Sequence, residues 1–257
     1  MADSTTSTAQ DSVSGKMFLY EQPELLTVEK HRTLGLTPVD RPFAHAADVR
    51  IMPLTMTEFS SAQRHYPIVF SGMENPIPLA VVGVLEDVNL FVENGQWDPQ
   101  CYVPSYLRCH PFAFASSHEG RVAVVIDRAA QSISETPQYP FFANGELTKE
   151  TEQMMRFCAQ YEAERKRTEA FTNKLKELEL LTSQQATFKP EGQSEEQTLA
   201  NFISLDTQKL TDLASEVVHE LHRSGQLSAM YLQLYSLDNW RMLMARRQRR
   251  AGASAAP

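Results

Sequence analysis

Arg108 and His110 sit inside an aromatic, proline-punctuated stretch, Asn89 to Phe114 (NLFVENGQWDPQCYVPSYLRCHPFAF). A guanidinium there offers planar, two-pronged hydrogen bonds, and an imidazole offers a proton carrier near neutral pH. Trp97, Tyr102 and Tyr106 add indole and hydroxyl donors carried on large apolar rings. Trp97, Tyr102, Tyr106, Arg108 and His110 therefore form the candidate binding set. Core packing is the simpler role for most of the aromatics. The arginine is less easily dismissed, because a charge among apolar residues must either pair or face a site.

Other chemistry is thinner. His219 and His222 have an i, i+3 helical spacing that suits a metal, but no third ligand follows in sequence. A solvated pair is the plainer reading. His118-Glu119 is adjacent and falls in a turn signal. Cys109 lies beside Arg108 and His110, neighbours that lower a thiol pKa; an ordinary buried thiol is again simpler. The odd count of Cys101, Cys109 and Cys158, with no CxxC, predicts reduced thiols, no disulfide and a cytoplasmic setting. GxSxG, Walker A and GxGxxG are all absent, so neither a cofactor nor a metal is expected. Arg246, Arg247, Arg249 and Arg250 offer a weak contact to an anionic surface, although a solvated helix end favoured by the dipole explains them as well. The net charge of −8 disfavours nucleic acid as a partner.

The elements that must position these residues change character along the chain. Residues 1–16 are Ser/Thr/Asp-rich and read as a disordered tail without the basic start and apolar run of an export signal. No apolar run reaches membrane-spanning length. Short strands are expected around Leu34–Leu36, Val49–Ile51, Ile68–Phe70, Leu79–Leu85 and Asn89–Val92. Thr55 and Glu58 have capping-box spacing ahead of a short helix ended by Pro67. Asn94-Gly95 is a turn signal, and Phe112–Ala115 with Arg121–Ile126 reads as a hairpin. The Asn89–Phe114 stretch itself reads as extended chain wrapping a core, since its prolines forbid one continuous helix.

Thr148 to about Leu181 lacks Gly and Pro and carries helical apolar spacing, so it predicts a long amphipathic helix. Its charged run, Glu162 to Glu169, reads as a solvated face. A strand at Leu199–Leu205, a helix capped by Asp206 and ended at Gly225, and a strand at Ala229–Tyr235 would make one right-handed crossover. A last helix from Ser236 leads to a tail over 249–257. The expected architecture is α+β: short, mostly antiparallel strands in the N-terminal half packed against C-terminal amphipathic helices. One domain over 17–248 is expected, β-rich over 17–147 and helix-rich over 148–248.

Read together, a series of short motifs resembles the bacterial SapC family of surface-layer gene clusters. The series includes Lys30-His31-Arg32, Glu58-Phe59, Tyr66-Pro67-Ile68-Val69-Phe70, Asn89-Leu90-Phe91-Val92, Tyr102-Val103-Pro104-Ser105-Tyr106-Leu107-Arg108, Phe141-Phe142 and Ser236-Leu237. Cys109 and His110 depart from the family pattern before Pro111. The permease of peptide transporters that shares the family's name is a membrane protein, and nothing in this chain suits one. The resemblance implies a soluble accessory or binding protein of a surface-layer or envelope system, with a protein partner and no established reaction. The alternative is an enzyme acting on a small molecule or a peptide side chain, with a pocket near Trp97–His110.

Overall fold

The computed structural model describes residues 17–85, 88–116, 122–189 and 195–254. The expected N-terminal tail and the His118-Glu119 turn lie outside the described residues. The fold is α+β, with antiparallel strands in small sheets. Two compact units interleave along the sequence. The first comprises residues 1–39 and 109–159, the second 40–108 and 160–257. The expected change of character at residue 148 does not mark a unit boundary.

In the first unit, Pro23–Leu25, Val122–Asp127 and Phe112–Ser116 form a three-stranded antiparallel sheet with Val122–Asp127 in the middle. Gly35–Leu36 is flanked by Ile133–Ser134 and Tyr139–Pro140. The chain approaches so closely at Gly35 that a Cβ would fall 2.2 Å from the Tyr139 carbonyl oxygen, so no other residue fits there. Phe112 and Phe141 meet edge to face in the core at 5.3 Å.

The second unit is built on a five-stranded antiparallel sheet. Its spatial order is Leu181–Phe188, Gln197–Leu205, Ile68–Phe70, Pro78–Val81, Ile51–Pro53. Both Ile68–Phe70 and Pro78–Val81 are buried throughout, as unbroken apolar runs in a sheet interior should be. Pro53 is tolerated because its strand is at the edge, and Pro78 because it is the first residue of its strand. The expected strand at Leu79–Leu85 is shorter than its apolar run: from Val82 the chain leaves the ladder, and the amides of Val82 and Gly83 both turn to the Arg50 carbonyl. Asn89–Val92 likewise contributes only Val92 to a strand, which pairs with Gln96–Trp97 across the left-handed Asn94-Gly95 turn.

The long helix spans Lys149–Glu177. Three expectations for the C-terminal region are corrected. The one helix expected from Asp206 to Gly225 is two, Thr207–Thr211 and Ser215–Arg223. Ala229–Tyr235 is not a strand; it lies in the Gln226–Ser236 helix, so there is no strand–helix–strand crossover. Its buried residues, Ala229, Met230, Gln233 and Ser236, have helical spacing, and two of them are polar. Gln233 donates to the Ile68 carbonyl at 2.8 Å and is bonded to Ser204, while the Ile68 amide donates to Ser236 Oγ at 2.9 Å. The pairing of Gln197–Leu205 with Ile68–Phe70 has a single register pair, Ile203 with Phe70, and the helix's polar side chains take over where it stops. The last helix, Asn239–Ser254, also runs past the expected start of the tail at Arg249. No helix among the described residues is long and apolar enough to cross a membrane.

Candidate functional site

Glu58 is the polar centre of the second unit. The Thr55–Glu58 capping box forms as its spacing predicts: Glu58 Oε2 accepts from the Thr55 amide at 2.8 Å and from the Thr55 hydroxyl at 2.9 Å. The other oxygen, Oε1, turns away from the box and accepts from the Ser105 amide at 2.7 Å and the Tyr102 hydroxyl at 2.9 Å. Glu58 is only 5% exposed, so all four donors are needed to offset the loss of water. The bonds from Ser105 and Tyr102 tether a distant segment, including the short Ser105–Cys109 helix, to the Thr55 turn. That helix corrects the expectation of extended chain: its brief run begins immediately after Pro104, whose fixed φ suits a helix start.

Arg108 is exposed and does not enter the core. Its guanidinium donates to Ser105 Oγ at 2.7 Å and to the Tyr102 hydroxyl at 3.2 Å, and lies over the Tyr102 ring at 5.6 Å. Burial, followed by the Glu58 charge, raises the Tyr102 pKa, so the phenol remains a donor. The Tyr66 hydroxyl donates to the Tyr102 carbonyl. Trp97 is buried against Phe43, Tyr66 and Phe91 and is core.

His110 belongs to the first unit. Its Nε2 is 3.3 Å from Asp127 Oδ2, and its ring meets Tyr20 edge to face. Burial lowers the His110 pKa, against the pull of Asp127. Asp127 also accepts from the amides of Gln22, Glu21 and Ala129. Burial alone would raise its pKa; the amides and His110 hold it below the usual carboxylate value. Thus the structure joins Tyr102 to Arg108 and places Trp97, Tyr106 and His110 in three separate settings.

Tyr106 opens on a groove. The groove has a volume of about 370 Å³ and lies wholly within the second unit. One wall is Pro53, Leu54, Pro76, Ile77 and Pro78; the other is the long helix, through Tyr161, Arg165, Thr168, Glu169, Thr172 and Asn173. Tyr106 and Tyr161 meet edge to face at 6.1 Å. The walls are fixed by the polar contacts already described. Thr55, which follows Leu54, and Ser105, which precedes Tyr106, are both bonded to Glu58, and Thr168 Oγ1 accepts from the Met56 amide at 2.8 Å. Lys176 donates to the carbonyl and carboxylate of Glu74 at 3.0 and 2.8 Å, tying the helix to the loop that carries Asn75.

The helix wall was hidden in sequence because the Glu162–Glu169 charge run resembles any solvated face. Arg165 does pair with Glu162 at 2.8 Å and sits 3.6 Å from Glu169, yet it lines the groove. The signal on the opposite wall was Asn75-Pro76-Ile77-Pro78, in which prolines hold an isoleucine 52% exposed.

The remaining polar candidates are elsewhere. His219 lines a surface hollow with Glu216, Glu220 and Arg223; among the described residues no three His, Cys, Asp or Glu side chains are grouped to hold a metal. None of the three cysteines is in a disulfide, and burial pushes the Cys101 thiol up to about 11 despite its contact with Arg246. The basic end is partly internal: Arg246 pairs with Asp98 at 2.8 Å and covers the Phe91 ring, while Arg250 donates to the carbonyls of Asn89 and Val92.

A family model described as SapC matches residues 26–243. No curated protein and no solved structure matches the chain.

Proposed function

We propose, from the premise that this chain belongs to the SapC family, that it is a soluble, cytoplasmic accessory protein of a bacterial surface-layer or envelope system. It works by binding a protein partner, without a reaction of its own. The observation that carries the reading is the groove. It is of ligand-site size, has apolar walls with a few polar groups, and is held open by internal hydrogen bonds. Its polar groups do not assemble a nucleophile with a base: Arg165 is matched by two carboxylates, and Thr168 Oγ1 is committed to a backbone amide and to the Glu164 carbonyl.

Affinity capture from the native bacterium, with wild type and an Ile77→Arg variant in parallel, tests this. Ile77 is on the rim, so the variant should fold. A partner retained by wild type and lost by Ile77→Arg is the expected result. Equal capture by both would remove the groove from the function. Recovery of a small molecule alone would move the reading to an enzyme.

A further inference from the structure

The chemistry of the groove lining narrows what it binds. Asn75 and Asn173 face the groove from opposite walls, one on the loop before the Pro78–Val81 strand and the other on the long helix. Both residues are exposed. Among the described residues, neither side-chain amide has a hydrogen bond to protein. A carboxamide carries two donors and a carbonyl acceptor, the same groups that an extended main chain presents. Arg165 is already neutralised by Glu162 and Glu169, so the lining has no unmatched cation to select an anion. The rest of the lining includes proline, leucine, isoleucine and tyrosine surfaces, which suit apolar side chains better than the hydroxyls of a sugar.

Length supports the same occupant. Tyr161 to Asn173 is 12 residues of helix (173 − 161), or roughly 18 Å at 1.5 Å per residue. That matches about five residues of extended chain.

We infer that the groove takes an extended peptide segment of the partner, uncharged at its centre. Asn75 and Asn173 hydrogen-bond to its main chain, and an apolar side chain, proline or aliphatic, seats against Pro76, Ile77 and Tyr106. This inference rests on the binding reading above and adds the class of ligand.

The test is to pan a phage-displayed random peptide library on the full chain. The most enriched peptide is then synthesised and titrated by fluorescence anisotropy. Wild type, Ile77→Arg and the double variant Asn75→Ala/Asn173→Ala are compared, after thermal melts confirm that all are folded. Enriched sequences should carry an apolar centre. The double variant should bind at least about tenfold more weakly, the effect of losing two modest hydrogen bonds. Two results overturn the inference while leaving the binding reading standing. One is a peptide lost on Ile77→Arg but held equally by the double variant. The other is no enrichment over the bare surface while capture of the native partner still depends on Ile77. If neither peptide nor native partner responds to Ile77→Arg, both fall.

Discussion

Glu58 in the second unit and Asp127 in the first are buried carboxylates, 5% and 2% exposed, and each accepts four hydrogen bonds. Their company differs. Glu58 is held by two amides and two hydroxyls, all four in buried or partly buried positions. Asp127 is held by three amides and an imidazole, and all three amides belong to exposed residues, Glu21, Gln22 and Ala129. The same chemical group therefore serves two purposes. Asp127 gathers the chain around a sheet strand at the edge of solvent. Glu58 joins two segments that form groove walls, in a place water does not easily reach.

The largest expected effect separates the two. Glu58→Gln puts an NH₂ where one oxygen was. The hydroxyls of Thr55 and Tyr102 can rotate and accept, but the amide of Thr55 or Ser105 cannot, so one buried donor is stranded. A loss of about 2–3 kcal/mol is expected by chemical denaturation. Groove binding should weaken as well, because Tyr106 and Leu54 flank the residues released.

Asp127→Asn strands one donor by the same logic. Glu21 is exposed and its amide can rehydrate, so about 1 kcal/mol is expected. A larger loss from Asp127→Asn than from Glu58→Gln would break the comparison. Acid sharpens it. Folded Asp127 has a pKa below its ordinary 3.8, and folded His110 one below its ordinary 6.5. Both groups bind protons more weakly folded than unfolded, so stability is full at higher pH and lost on acidification. The His110 share goes as pH falls from 6.5 toward its folded pKa, and the Asp127 share as pH falls below 3.8. Melts across pH should show both limbs. His110→Gln should flatten the first and Asp127→Asn the second; limbs unchanged in the variants would mean that other groups carry them.

Tyr102→Phe removes one donor to Glu58 and leaves three, for a loss of about 1 kcal/mol. Arg108→Ala is the smallest change, about 0.5 kcal/mol or less, because the residue is exposed and contacts there compete with water. A thermal shift for Arg108→Ala as large as that for Glu58→Gln would show that the arginine, not the carboxylate, holds this segment.

What the sequence disclosed was what is local. The Thr55/Glu58 box, the Asn94-Gly95 turn, the cap at Asp206 and the left-handed Gly225 all depend on residues within a few positions of one another. Glu58 Oε1 was out of reach, since Tyr102 and Ser105 are 44 and 47 residues away. The aromatic stretch was read as one feature, yet the unit boundary runs between Arg108 and Cys109 and sends His110 to a different setting. Ala229–Tyr235 misled because its apolar alternation is real while its buried face is only half apolar: Gln233 and Ser236 go in with Ala229 and Met230, and Tyr231 and Tyr235 stay out.

That helix face has a consequence for how this protein fails. Gln233 and Ser236 occupy the amide and carbonyl of Ile68 where the neighbouring strand has parted from it. They act as a cap on the side of an interrupted ladder. When the Gln226–Ser236 helix frays, the Ile68 amide and carbonyl lose their partners, while Val69 stays paired with Leu79 and Phe70 with Ile203. One buried donor and one buried acceptor of the sheet therefore depend on a helix rather than on a strand.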